Sequence, residues 1–229
     1  MTIPIANRLF RDFLNCHYKS HLTLMGHSGR ESGFEVMRNR QLTDYRRLAQ
    51  THLSRSLRTS DVCQNPASLL NAIRHGYALI ADANATVDDM TCHFDALLRI
   101  TSASATPEYI PVLYVPAEKI TTHDKLLLAI CGSILGEVQG NVVQFGNIIR
   151  GARLSTSKVQ LHKLLPVARQ TLRDIADLRS NTEPPRLRLN DHCPICSCRI
   201  ATGRQVVRAG AIAICRDCGT WYRLPRPGL

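Results

Sequence analysis

Cys193-Pro194-Ile195-Cys196 and Cys215-Arg216-Asp217-Cys218 put two Cys-x-x-Cys pairs at the separation of a zinc ribbon. Four thiolates held tetrahedrally can fold a hairpin whose own core is too small to stand without metal, and RQVVRAGAIAI between the pairs has the composition of such a hairpin. Cys198 adds a fifth thiol to the same region, out of nine cysteines in all, and this grouping favours metal binding over disulfides in a chain with no export signal. Cys63, Cys92 and Cys131 stand alone among apolar neighbours and read as small buried hydrophobes. The other residue that could do chemistry is Asp95, inside HFDALLRI. A carboxylate flanked by apolar residues is costly to bury unless a cation, a donor network or water satisfies it. Spacing leaves two readings open: a site, or an edge aspartate that faces solvent or pairs with an arginine such as Arg99.

The elements that must position these groups follow from the hydrophobic period. Ile5, Leu9, Phe10, Phe13 and Leu14 predict an amphipathic first helix that delivers Cys16 near its end. A Gly/Ser loop and a long helix follow, carrying Arg38, Arg40, Arg46, Arg47, Arg55 and Arg58. These arginines form no continuous stripe at period 3.6, so a solvated face competes with a phosphate track. YALIADA, TCHFDALLRI and YIPVLYV are apolar, partly β-branched runs and predict three strands. THDKLLLAICGSILGEVQG predicts a helix with a threonine cap and a stop at Gly140. NVVQFGNIIRG and the stretch through Val159 and Leu161 predict two further short strands. A last helix starts at Pro166 with Val167, Leu172, Ile175 and Leu178 on one face, and the paired prolines of SNTEPPRLRLN mark a linker.

The chain has 229 residues, 44% of them hydrophobic and 21% charged, enough for one substantial core and an appendage. Lys and Arg number 29 against 18 acids, a formal charge of +11 and a pI near 9.6, which suits a polyanionic partner. The charged N-terminus does not read as a signal peptide, and LLLAICGSILG is too short to span a bilayer. The expectation is a cytoplasmic protein of a reducing compartment, with no membrane partner.

Several features taken in order resemble a known family: an N-terminal helix ending in a cysteine with Tyr18-Lys19 after it, Arg74-His75-Gly76 ahead of a strand, a strand bearing FDAL, then YIPVLYVPAEKITTHDKLLLA, a Gln-Gly, and a closing PRLRLNDHCPIC. This combination, from about Phe10 to Cys196, resembles the RecB-like nucleases of the PD-(D/E)XK superfamily and is similar to the CRISPR-associated RecB-like exonucleases. The resemblance implies a restriction-endonuclease-like α/β fold, a mixed sheet flanked by helices, over residues 1–180. A linker over 181–192 and a cysteine-rich appendage over 193–229 complete the expected organisation. It also implies DNA hydrolysis with Mg²⁺ or Mn²⁺. Asp95 matches the metal-binding acid, His75 a metal-binding histidine before the first strand, and Gln139 a substrate-contacting position at a helix end.

The chain also departs from that pattern. Acid-x-Lys is expected on the next strand, yet Tyr109-Ile110-Pro111-Val112 is apolar there, so Glu118, Lys119 or Lys125 would have to supply the second acid and the amine that steadies the attacking water. The family's iron–sulfur clamp joins one N-terminal to three C-terminal cysteines, which here gives Cys16, Cys193, Cys196 and Cys198, with Cys198 closer to Cys196 than that pattern has it. Zinc at Cys193, Cys196, Cys215 and Cys218 therefore competes with an iron–sulfur cluster, and a tail whose thiols are incidental is a third option. If the catalytic groups do not meet, the alternatives are a nucleic-acid-binding module or a zinc-ribbon adaptor serving a helicase or repair complex.

Overall fold

A computed structural model describes residues 5–26, 33–101, 106–181, 183 and 185, with the backbone alone for 33–35, 212–214 and 221–223. The strands are β1 (Ile5–Ala6), β2 (Val62–Gln64), β3 (Leu79–Val87), β4 (Met90–Ile100), β5 (Glu108–Val115), β6 (Phe145–Arg150), β7 (Ser155–Gln160), β8 (Ile212–Ile214) and β9 (Trp221–Arg223). The helices are α1 (Asn7–Asn15), α2 (His17–Leu24), α3 (Gly33–Ser54), α4 (Leu69–His75), α5 (Thr122–Gln139) and α6 (Leu165–Ser180). The chain divides into two compact units, one of Thr2–Asn7 and Gln41–Arg173, the other of Met1, Arg8–Arg40 and Asp174–Leu229.

The first unit holds a seven-stranded mixed sheet of order β2-β3-β4-β5-β6-β7, with β1 added against β4. The predicted strands form an antiparallel meander, β3-β4-β5. β6 then lies parallel to β5 and needs a crossover, which α5 supplies. α5 forms because its apolar face spans Leu126 to Cys131 without a break and a capping box closes its start. The cap is Thr121, whose hydroxyl accepts from Asp124 N–H at 3.2 Å while the Asp124 carboxylate accepts from Thr121 N–H at 2.9 Å. Gly140 ends the helix at φ +73°, a conformation that costs glycine little.

Alternate residues of β5 serve the two faces of the sheet. Val112 and Tyr114 pack with Leu79, Ala96 and Ile149 against Tyr45 and Ala49 of α3. Pro111, one residue out of phase, lies under Gly132 of α5. Burying Tyr114, Leu79 and Ile149 at 2% exposure or less stabilises by about 1.5–3 kcal/mol per large side chain.

Two expectations are corrected. Ile5 belongs to a two-residue strand paired with Met90, not to the first helix, which starts at Asn7. On α6 Ile175 is buried as expected, with Leu172 and Leu178 half-buried beside it, but Val167 is exposed, because Ala168 and Thr171 take the buried positions in the first turns. In the second unit Cys16 does follow α1, and its thiol caps α2 by accepting from Lys19 N–H at 3.4 Å. Nearby, Lys19 pairs with Asp12 at 3.0 Å. No helix among the described residues is long and apolar enough to cross a membrane.

Candidate functional site around Asp95

β4 changes partner at Asp95. Its ladder with β5 runs from Ile100↔Glu108 to Ala96↔Val112 and stops, and β1 takes up the same edge only at Met90 and Thr91. Main-chain groups in the gap would be left without partners, at a cost comparable to a lost hydrogen bond each. Side chains supply what is missing. The Asn7 carboxamide donates to His93 O at 2.7 Å and accepts from His93 N–H at 3.1 Å. The Asp95 carboxylate accepts from Tyr114 N–H at 2.8 Å.

The other edge of β4 is interrupted at the same level. Ala81 pairs with Ala96 and Ala83 with Phe94, but Asp82 between them adopts φ +54° opposite Asp95. Aspartate is among the few non-glycine residues that tolerate this conformation. Five polar side chains, Asp95 among them, gather here. His93 Nε2 lies 3.5 Å from Asp82 Oδ1 and 3.7 Å from Asp95 Oδ1, and His93 Nδ1 is 3.2 Å from Asn84 Oδ1. Arg46 of α3 completes the group, its Nε 2.9 Å from Asp95 Oδ1 without the alignment of a hydrogen bond. The Asp95 side chain is 2% exposed and that of Arg46 37%. The Tyr114 hydroxyl is buried beside this pair with no hydrogen-bond partner among the described residues. Burial, and then the Asp95 charge, raise its pKa, with Arg46 opposing them.

Asp95 is therefore buried and charge-paired, as a functional carboxylate should be, but its cation is Arg46 and not Arg99. Arg99 lies four residues along the strand, about 13 Å away at the rise of extended chain, and donates to Gly76 O. The other expected residues have separate engagements. His75 ends α4, exposed, with its ring stacked on Tyr77 at 4.6 Å. Glu118 accepts from Ala152 N–H at 3.0 Å, and Arg150 donates to the Glu118 carbonyl. Glu118 fills the space where a side chain at Gly151 (φ +66°) would sit, so it pins the β6–β7 turn. Both ends of the Gln139 carboxamide bond to Tyr109, accepting from its N–H and donating to its carbonyl, each at 3.1 Å. Lys119 and Lys125 are exposed, and neither is an ion-pair partner of Asp95.

A divalent ion needs several oxygen ligands free to converge. At Asp95 one oxygen is taken by Tyr114 N–H and the other faces a guanidinium, and no group of three His, Cys, Asp or Glu among the described residues is arranged to hold a metal ion. The donor set does not fit the expected Mg²⁺ or Mn²⁺. On β5, Leu113 and Val115 flank Tyr114 and are buried. Cys193, Cys196, Cys198, Cys215 and Cys218, the expected ligands of zinc or an iron–sulfur cluster, lie outside the described residues.

Asp82, His93, Asn84 and Arg46 were not anticipated as partners of Asp95. Alternation carries the signal for the first three: on paired antiparallel strands, Asp82 with Asn84 and His93 with Asp95 are period-2 polar pairs within apolar runs. No protein-family model and no curated protein sequence matches the chain.

Proposed function

We propose that the chain binds DNA on a restriction-endonuclease-like scaffold without hydrolysing it, the acidic centre being neutralised by Arg46 in place of a divalent metal. The observation that carries this reading is the 2.9 Å approach of Arg46 to the 2%-exposed Asp95 carboxylate. A helix, an antiparallel three-strand meander, a crossover helix and a parallel strand, in the order α4-β3-β4-β5-α5-β6, support the scaffold. The charge of +11 supports a polyanionic partner through counterion release. Eight of the 29 basic residues but only three of the 18 acids follow residue 180, so the cysteine-rich appendage shares in that attraction. β8 and β9 pair antiparallel, and Cys215 and Cys218 fall in the six residues that connect them. The spacing of the two Cys-x-x-Cys pairs supports zinc over an iron–sulfur cluster, and an adaptor role towards a helicase would use the same appendage.

Labelled duplex and single-stranded DNA titrated at several salt concentrations tests the reading, alongside incubation of the same DNA with Mn²⁺ or Mg²⁺. Expected are retention that weakens steeply with salt and no loss of full-length DNA. Metal-dependent degradation that disappears in a folded Asp95→Asn variant overturns the proposal in favour of hydrolysis. Absence of salt-dependent retention overturns DNA binding itself.

A further inference from the structure

Of the four described cysteines, Cys92 and Cys131 meet. Cys92 of β4 and Cys131 of α5 bring their sulfurs to 3.1 Å, the Cys92 thiol donating, at 0% and 3% exposure. Neither stands alone as the spacing suggested, and a pure packing role needs only ordinary van der Waals contact. The Asn7 carboxamide, which clamps the His93 peptide, also points Nδ2 at Cys131 Sγ at 4.0 Å. Cys131 sulfur thus faces two donors, while burial and the contact with Cys131 push the Cys92 thiol well up.

We infer that Cys92 and Cys131 form a reversible disulfide when the protein meets a peroxide. Cys131 sulfur attacks one peroxide oxygen as it gives up its proton. The O–O bond breaks, a sulfenic acid forms on Cys131, and the departing oxygen leaves as water after taking the proton that Cys131 lost. Cys92 sulfur then attacks the Cys131 sulfur. The S–O bond breaks, the hydroxide takes the Cys92 proton and leaves as a second water. Two thiols lose two electrons and one hydrogen peroxide gains them, so the balance closes with no other reactant. The second step is intramolecular between atoms already in contact, and it outruns further oxidation of the sulfenic acid. Closing to the bonded S–S distance of about 2.05 Å draws the residue next to His93 towards α5. The bond therefore acts on β4 at the gap that Asn7 bridges.

The test treats the folded full chain with hydrogen peroxide at neutral pH, quenches in acid, blocks remaining thiols after unfolding and maps tryptic peptides by mass. Cleavage at Arg99, Lys119 and Lys125 separates the two cysteines. The expected product is a peptide pair joined through Cys92 and Cys131, lost on reduction with dithiothreitol and absent from Cys131→Ala. Circular dichroism of the reduced variant establishes that it is folded. Recovery of both residues as free thiols while the partly exposed Cys63 oxidises overturns the inference, as does accumulation of sulfinic acid on either without pairing.

Discussion

Removing Arg46 should cost more than removing the charge it neutralises. In Arg46→Met the aliphatic stem remains, but the Asp95 carboxylate, 2% exposed, keeps only the Tyr114 N–H and a histidine at 3.7 Å. Breaking a fully buried pair costs about 3–5 kcal/mol. Because Arg46 is 37% exposed the pair is partly solvated, and about 2–3 kcal/mol is expected after that discount. Asp95→Asn strands the opposite charge, which can turn to water, and the asparagine oxygen still accepts from Tyr114 N–H, so about 1 kcal/mol is lost. The double variant, with no net charge left in the pair, should be more stable than Arg46→Met alone. Urea unfolding of all four proteins gives the cycle, provided the slope of free energy against urea is unchanged. If Asp95→Asn proves as costly as Arg46→Met, or the two effects simply add, the ion pair is not what holds Asp95 in place.

Two tyrosines should respond differently to loss of the hydroxyl. Tyr109→Phe removes a 2.6 Å bond to Tyr77 O and should cost about 1 kcal/mol, whereas Tyr114→Phe removes a buried hydroxyl with no partner among the described residues and should be neutral or stabilising by thermal melting. Stability should begin to fall with rising pH from about 8.5, where the unfolded chain releases the Cys92 proton that the folded chain retains, and fall more steeply above about 10. Burial pushes Tyr109 up to about 12 and also raises Tyr45 and Tyr114, so above pH 10 the unfolded chain releases protons that the folded one retains. Each such tyrosine contributes a slope of about 1.4 kcal/mol per pH unit, to be read from urea midpoints across that range. Gly151→Ala should destabilise by more than about 1 kcal/mol, since it combines φ +66° with a clash against the Glu118 carboxylate, and Glu118→Ala in the same background should recover part of the loss.

The meander and α5 were legible because each announces itself locally, the strands by β-branched apolar runs and the helix by its wide apolar face and its Gly140 stop. β1 was not. Two residues carry no period, and Ile5 fits the helical spacing of Leu9 and Phe13 as well as it fits a strand. Asp95 stood out because a carboxylate between Phe94 and Ala96 is locally expensive, but its partner could not be read. Arg46 lies on a helix remote in sequence, and only the packing of Tyr45 and Ala49 on the sheet brings it to β4. Glu118 and Gln139 have residue types that suit a catalytic centre, yet both types also complete backbone hydrogen bonding, and spacing does not separate the two uses.

Three side chains in this fold do the work of a missing strand: Asn7 pairs with the His93 peptide as a neighbouring residue would, Gln139 does the same for Tyr109, and Asp95 receives the N–H that Tyr114 would otherwise offer to β4. The resemblance to metal nucleases asks Asp95 to hold an ion at a gap between strands, and the same gap leaves main-chain groups that need satisfying. The two demands conflict at Asp95. An oxygen that accepts from a main-chain N–H and another that faces a guanidinium are poorly placed to ligate an ion as well. Replacing Arg46 by methionine frees one of them. Of all single substitutions, Arg46→Met should therefore most increase Mn²⁺ affinity, measurable as a rise in melting temperature with added metal that the parent does not show. A variant equally indifferent to metal would mean that Arg46 is not what bars the ion.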